Sequence, residues 1–359
     1  MTTTSPCDSA RAWIDVDLDA LVANAKTVAA ISSGRLLPMV KANGYGLGAV
    51  PVTRALEALA PWGYGVATVD EGAELRRAGI TRPILLCTPL LPEWIDRCLE
   101  FDLRPSVGDL TALESWTART QHPFHIEIDT GMARSGFRYD DPALRDAIGQ
   151  RLAAAKGWEG GFTHFHSPES DWAATELQWA RLQEVLSALP RRPALVHAAN
   201  SAAALSGTRY SADLVRPGIF LYGGGAGGPT PVPVAAFRAR VVGLRRLREG
   251  DTVSYGATWK AAAPARIATI AAGYADGFPR AAGRTRAIEL SGRVVPVVGR
   301  VAMDMVMVDI DADHRVALGD AATIWGGAVS LDQQAEWAGT IAYELLTALA
   351  PRVPRCYRA

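Results

Sequence analysis

Lysine is scarce in this 359-residue chain: Lys26, Lys41, Lys156 and Lys260 are the only four, which leaves 33 of the 37 basic residues as arginine. Codon bias accounts for the scarcity, but the lysines that remain have few bland roles to fill. Cysteine is also sparse. Cys7, Cys87, Cys98 and Cys356 form no Cys-x-x-Cys pair, so neither a disulfide framework nor a structural zinc site is suggested, and all four read as ordinary thiols. Basic residues (37) balance acidic ones (37) with no basic run of five, which argues against nucleic acid or an anionic membrane as partner. No apolar run approaches the roughly 20 residues that cross a bilayer. The N-terminus MTTTSPCDSARAW lacks the basic-then-apolar layout of a secretion signal, so the expected address is the cytoplasm. A content of 49% hydrophobic and 21% charged residues excludes a disordered chain, and the length suits roughly two domains.

After an extended segment at 13–16, residues Leu18, Leu21, Val22, Ala25, Val28 and Ala29 keep the spacing of a helix face. Eight short apolar runs then alternate with helical stretches, at 36–40, 64–67, 84–86, 104–107, 124–128, 160–164, 194–197 and 213–215. Helices are expected at 70–78, with an Asp at its start, and at 172–189 with Asp171 as N-cap. Strands alternating with helices imply parallel pairing, and eight such units suit a closed (β/α)8 TIM barrel in an α/β chain, with a doubly wound open sheet as the alternative. The stretch YGGGAGGPTPVPV from Tyr222 can neither continue a helix nor pair as a central strand, so a domain boundary is placed there, dividing the chain into 1–230 and 231–359. The second domain reads as mainly β, with runs at 236–244, 266–271, 286–290, 294–298 and 306–310 and two helical patterns at 331–338 and 341–349.

In a barrel of this kind, chemistry collects where strands end. The first run ends in Lys41, the fifth leads to Asp129 and Arg134, the sixth ends in His164, the seventh in His197 with Asn200 and Ser201, and the eighth in Arg216. A strand-end ion pair explains any one of these; a single shared site explains them together. A lysine after a buried strand is partly desolvated, which favours the neutral amine needed for Schiff-base chemistry. The Gly-rich loop behind Lys41 carries Tyr45, and the segments at 199–201 and 216–219 offer a hydroxyl and backbone N–H groups where barrels seat a phosphate. A phosphorylated aldehyde cofactor joins these observations. Set against a pyridine ring nitrogen, Arg216 can only donate, so it would keep that nitrogen unprotonated and the ring a weaker electron sink, which suits simple proton exchange at Cα.

Seven motifs, VKANGYGLGA around Lys41, DTGMARSGF at 129–137, HAANSA at 197–202, RPGIFLYG at 216–223, VSYGATW at 253–259, GYADGFPR at 273–280 and VGRVAMDM at 298–305, resemble the alanine racemases in order and over essentially the whole chain. The resemblance implies a pyridoxal 5'-phosphate enzyme of fold type III that interconverts L- and D-alanine for peptidoglycan. It implies a homodimer in which one subunit's barrel meets the other's β domain, with serine or broad-specificity racemisation as the alternative. Lys41 looks like the cofactor-bonding lysine and one of two bases, and Tyr255 like the second base, from the partner subunit. Opposed bases are the direct way to invert a stereocentre. Tyr45, Ser201, Gly218, Ile219 and Tyr343 are similar to the family's phosphate contacts, with Asn200 beside them. His164 would flank the ring and Arg216 would face its nitrogen. Arg134 and the Met303 backbone would meet the substrate carboxylate, and Glu169, Tyr274, Arg280 and Arg300 would line the access corridor. Asp304 is expected to support the loop.

Two departures from the family pattern stand out. Glu127 occupies a position where many members have a lysine open to carbamylation, so a carboxylate at Arg134 needs no modification. Ala302 replaces a common cysteine. No metal is expected. The rival reading from a different class is a metal-dependent hydrolase built on His164 and His166, for which His122 and His125 are set aside as residues of a solvated turn. A vitamin B6 carrier is the other, and it would lack the SYGAT and MDM segments.

Overall fold

In the computed structural model the described residues are 6–281 and 286–358; the first five residues of the stretch read for a secretion signal lie outside them. After strand β1 (Ala12–Asp17) come β2 (Arg35–Leu36), β3 (Tyr64–Val66), β4 (Ile84–Pro89), β5 (Leu103–Val107), β6 (Phe124–Asp129), a short β7 (Phe137–Arg138), β8 (Trp158–Phe162), β9 (Leu195–His197) and β10 (Leu214–Val215). Every one of the eight apolar runs becomes a strand. They pair in parallel in the order β2-β10-β9-β8-β6-β5-β4-β3, with β7 on the edge of β6. Pro38 cuts β2 short because it has no N–H to give. The ring closes all the same: Met39 bridges Gly65 in parallel, Gly65 N–H donates to the Pro38 carbonyl and Val40 N–H to the Gly65 carbonyl, both at 2.9 Å. The expected (β/α)8 barrel is therefore present.

Local signals set the helices. Helix Trp172–Ala188 starts at Asp171, whose side chain accepts from the Ala174 N–H. The helix expected from Asp70 instead spans Val69–Arg77. Thr68 is its cap, in a reciprocal box with Glu71 that outcompetes the aspartate one residue inside.

The second half contains β11 (Ala235–Leu247), β12 (Thr252–Val253), β13 (Trp259–Lys260), β14 (Ala265–Ile270), β15 (Ala287–Leu290), β16 (Arg293–Val298), β17 (Val306–Ile310), β18 (Ala321–Trp325) and β19 (Arg355–Arg358). The antiparallel path β14-β17-β16-β15-β18-β11 returns to β14, so this sheet also curls onto itself. Helices Leu331–Ala338 and Ala342–Thr347 follow. Strand β1, although it precedes the barrel in sequence, joins this sheet: it runs antiparallel to β11 and parallel to β19. The first and last strands thus both lie in the β half.

That topology corrects the reading of all cysteines as free thiols. Cys7, just ahead of β1, and Cys356, on β19, form a disulfide with Cα atoms 6.4 Å apart and 349 residues between them in sequence. Cys87 and Cys98 stay free. Sequence spacing cannot reveal the pair, because it follows from β1 and β19 lying side by side. Replacing Cys7 by serine should lower stability by about 2–4 kcal/mol relative to the oxidised protein. Equilibrium denaturation with and without reductant checks this; coincident curves would contradict it.

Candidate active site

Arg216 anchors the C-terminal mouth of the barrel. It is 5% exposed, and its Nη1 donates to His197 Nδ1 at 2.7 Å. Its Nη2 donates to the carbonyls of Thr163 (2.7 Å) and Ala198 (3.0 Å) and faces His164 Nδ1 at 3.3 Å. The guanidinium only donates, so His197 must accept on Nδ1 and carry its proton on Nε2. That N–H donates to His125 Nδ1 at 2.8 Å, and His125 in turn donates from Nε2 to Glu159 at 3.2 Å. Arg104 meets the same carboxylate at 2.9 Å. One oriented chain of hydrogen bonds therefore crosses the barrel interior from Arg216 to Arg104. His125 is fully buried in it, which corrects its assignment to a solvated turn: on β6 it alternates with Ile126, and its ring fills the room left where Gly160 has no side chain.

Burial sets the charges here. It holds His164 down to about 3, with Arg216 adding to the effect, and keeps His197 well below the ordinary imidazole value. Burial also lowers His125 against the pull of Glu159, and it pushes Arg216 down to about 10, still protonated at neutral pH. Burial alone would raise Glu159, but the bonds from His125 and Arg104 outweigh it and lower its pKa.

Lys41 opens a turn in which Ala42, Asn43, Gly44 and Tyr45 all adopt left-handed φ between 52 and 59°. Outside glycine this costs roughly 1–2 kcal/mol per residue. Offsetting bonds hold it: Glu71 accepts from the Ala42 N–H at 2.7 Å, and Asn43 accepts from the Ala49 N–H at 3.0 Å. The capping glutamate of the neighbouring helix thus fixes the lysine turn. Tyr45 stacks on Tyr222 with ring centres 4.4 Å apart and has Tyr343 at 5.9 Å. Gly218 donates to the Ser201 hydroxyl at 2.8 Å, and a side chain there would collide with the Tyr45 hydroxyl. Asn200 caps helix Ser201–Leu205 through the Ala203 N–H. Lys41, Tyr45, His164, Asn200, Ser201, Arg216, Gly218 and Ile219 so come from one rim, with Tyr343 reaching it from the second half.

Arg134 lies on the loop after β6, shaped by Asp129, which accepts from the N–H groups of Gly131 and Ala133 at 3.0 Å. The direct partner of Glu127 is the Ser135 hydroxyl at 2.9 Å, next to Arg134 rather than on it. Burial raises the Glu127 carboxyl; Ser135, Arg134 and Arg216 pull the other way.

Tyr255 stands apart. It is 71% exposed and lines a cavity of about 530 Å³ with Met303, Asp304 and other residues of 245–307, and no barrel residue lines it. Arg300 packs by Gly256, and its carbonyl accepts from Ser254. Tyr274 is seated on Ala302 through a 3.1 Å backbone bond. Arg280 and Glu169 are exposed.

Sequence profiles for "Alanine racemase, N-terminal domain" and "Alanine racemase, C-terminal domain" match residues 16–226 and 234–357. An alanine racemase of Deinococcus radiodurans is 40% identical over 96% of this chain and 98% of its own length. The chain belongs to the alanine racemase family. Alanine racemase from Streptomyces lavendulae, a D-cycloserine producer, superposes with a TM-score of 0.90 at 32% identity, covering 99% of this chain and 98% of that one. The biosynthetic alanine racemase of Pseudomonas aeruginosa gives 0.89 at 32% identity over 97% and 99%. The protein is accordingly an isomerase with alanine racemase activity. Among the described residues, no group of three or more His, Cys, Asp or Glu is arranged to hold a metal. His166 bonds Ser167, and His164 faces the Arg216 cation.

Sequence reasoning missed His125 and Glu159 as members of the hydrogen-bonded chain that starts at Arg216; the period-2 alternation of β6 and β8 was the available signal. A histidine held neutral by burial binds fewer protons folded than unfolded, so stability rises with pH between about 3 and 6.5 and is lost on acidification. In ¹⁵N NMR, His125 and His197 should each keep a neutral Nε2–H tautomer from pH 5 to pH 8. An imidazolium or an Nδ1–H form at pH 7 would contradict the network.

Proposed function

We propose that the racemase works with pyridoxal 5'-phosphate held at the barrel rim, and that two copies of the chain pair so that each rim receives the Tyr255 cavity of the other. One observation carries this reading. Tyr255 is largely exposed, and the cavity it lines takes no residue from its own barrel, so the phenol is open to a group from another chain. The rim fits the cofactor: Gly218, bare so that the Tyr45 hydroxyl can sit against it, brings that hydroxyl and the Ser201 hydroxyl together as phosphate partners, and the donor-only Arg216 suits a ring nitrogen.

Lys41 would hold the cofactor covalently. Tyr45, Ser201, Gly218, Ile219 and Tyr343 would bind its phosphate, with Asn200 fixing the helix start beside it, and His164 would flank the ring. The bound cofactor supplies an aldehyde that bonds amines and a ring that draws electrons from Cα. The Arg134 side chain and the Met303 backbone would orient the substrate carboxylate. Lys41 Nζ and the Tyr255 hydroxyl, on opposite faces, would take the Cα proton from one side and return one on the other. His164 stays neutral and so can bridge Arg216 to the phenol without adding charge. Glu169, Tyr274, Arg280 and Arg300 would narrow the access to small amino acids. The product serves as cytoplasmic D-alanine for peptidoglycan. No helix among the described residues is long and apolar enough to cross a membrane.

Incubating the enzyme with L-alanine in deuterated water should give loss of optical rotation with uptake of α-deuterium; L-alanine recovered unchanged contradicts the reading. Enantiomers have equal free energies, so kcat/KM stays equal in both directions in any variant, and a lost base shows in proton exchange instead. Tyr255→Phe should slow racemisation by about 10²–10⁴ while one enantiomer still exchanges its α-proton without inversion. Exchange lost equally from both enantiomers refutes the two-base assignment. Glu127→Gln should raise KM for alanine by about three- to tenfold, and added bicarbonate should leave the unaltered enzyme's rate unchanged. Stimulation by bicarbonate would contradict the role of Glu127.

A further inference from the structure

Asp276 is a fully buried carboxylate on the loop after β14, and it uses two arginines from opposite ends of the chain. Arg11 Nη2 meets it at 2.6 Å and Arg352 Nε at 2.8 Å, while its other oxygen accepts from the Gly273 N–H at 3.0 Å. Both arginines extend to the neighbouring loop: Arg352 Nη2 pairs with Asp304 at 2.6 Å, and Arg11 Nη1 donates to the Asp304 carbonyl at 3.2 Å. The two loops are also joined by backbone bonds. Tyr274 N–H donates to the Ala302 carbonyl at 3.1 Å and Ala275 N–H to the Met303 carbonyl at 3.0 Å. Gly273 lies so close to Ala302 and Met303 that no side chain fits between. Arg11 follows Cys7 and Arg352 precedes Cys356, so the disulfide ties together the two segments that supply the guanidinium groups.

We propose that Arg11 and Arg352, acting through Asp276 and Asp304, are positioning residues that hold the Met303 backbone where it receives the substrate carboxylate. The inference rests on the proposed role of Met303. A carboxylate only accepts, so Met303 offers it the N–H, while the Met303 carbonyl is already held by Ala275. The Ala302 carbonyl, which shares a peptide plane with that N–H, is held by the Tyr274 N–H at 3.1 Å and so fixes the N–H direction. A buried carboxylate deprived of one cation rearranges to find another partner, and the loops seated on it move with it. Binding of a small substrate responds steeply to such shifts.

The test compares the holoenzyme with Arg11→Ala, Arg352→Ala and Arg352→Lys. Arg293→Ala serves as the control, since Arg293 makes surface pairs with Asp311 and Asp313 in the same domain. In both loop-facing alanine variants KM for L-alanine should rise about tenfold while kcat stays within about threefold, with Arg352→Lys recovering part of the loss. Hydrogen exchange should accelerate in segments 271–278 and 300–306 of the same variants, and the control should change neither reading. Unchanged KM, a fall in kcat at constant KM, or unchanged exchange overturns the proposal. Should the alanine variants not fold, Arg352→Gln, which keeps the bulk without the charge, is read the same way. An unaltered enzyme that fails to racemise alanine refutes the functional reading alone, because exchange in the two loops reports on the clamp without turnover.

Discussion

The barrel mouth depends on a cation that can only give hydrogen bonds. Arg216 sits where the last barrel strand ends, and its partners come from the sixth and seventh strand ends, Thr163, His164, His197 and Ala198. Because it cannot accept, it dictates the proton positions of every imidazole linked to it, down to Glu159 and Arg104 at the far side of the barrel. A buried guanidinium without such acceptors would be costly. Here the whole interior is arranged to satisfy it, which leaves a fixed cationic edge facing the rim where Lys41 and Gly218 lie. In the proposed reading, a pyridine nitrogen set against that edge would have no proton to gain.

The second constraint is topological. Strand β1 belongs to the β half and the barrel begins only after it, so the chain enters and leaves through the same sheet. The terminal segments thereby come together, allowing Cys7 to meet Cys356 and Arg11 and Arg352 to converge on Asp276. The loops carrying Met303 and Tyr255 rest on this frame, away from the chain's own barrel. Separation of the Tyr255 cavity from the barrel rim follows from that geometry.

Much of this was legible in the sequence. The eight barrel strands stand out because each buried parallel strand is a short apolar run closed by a polar residue, and reading the strand ends yields Lys41, His164, His197 and Arg216 directly. Helix Leu331–Ala338 was also marked out by its own pattern. Most of the failures concern contacts between segments far apart in the chain. His125 follows His122 and Pro123 and reads as part of a turn, yet it occupies the inner face of β6 because β8 offers it a glycine. The disulfide, β19 and the placement of β1 depend on pairing across the whole sequence length. Short β18, with alanine at its first two positions and threonine at its third, gave too weak a pattern to separate from loop. The left-handed turn after Lys41 was signalled by its glycines, but Glu71, which stabilises it, lies on another helix and leaves no signal at the turn.

The most direct measurement of the central claim is ¹⁵N NMR of the enzyme loaded with pyridoxal phosphate labelled at the ring nitrogen. Arg216 facing that atom as a donor should leave it with the shift of an unprotonated pyridine, unchanged from pH 6 to pH 9. A pyridinium shift at neutral pH would mean that some group other than Arg216 meets the ring, and the arrangement proposed for the rim would be wrong.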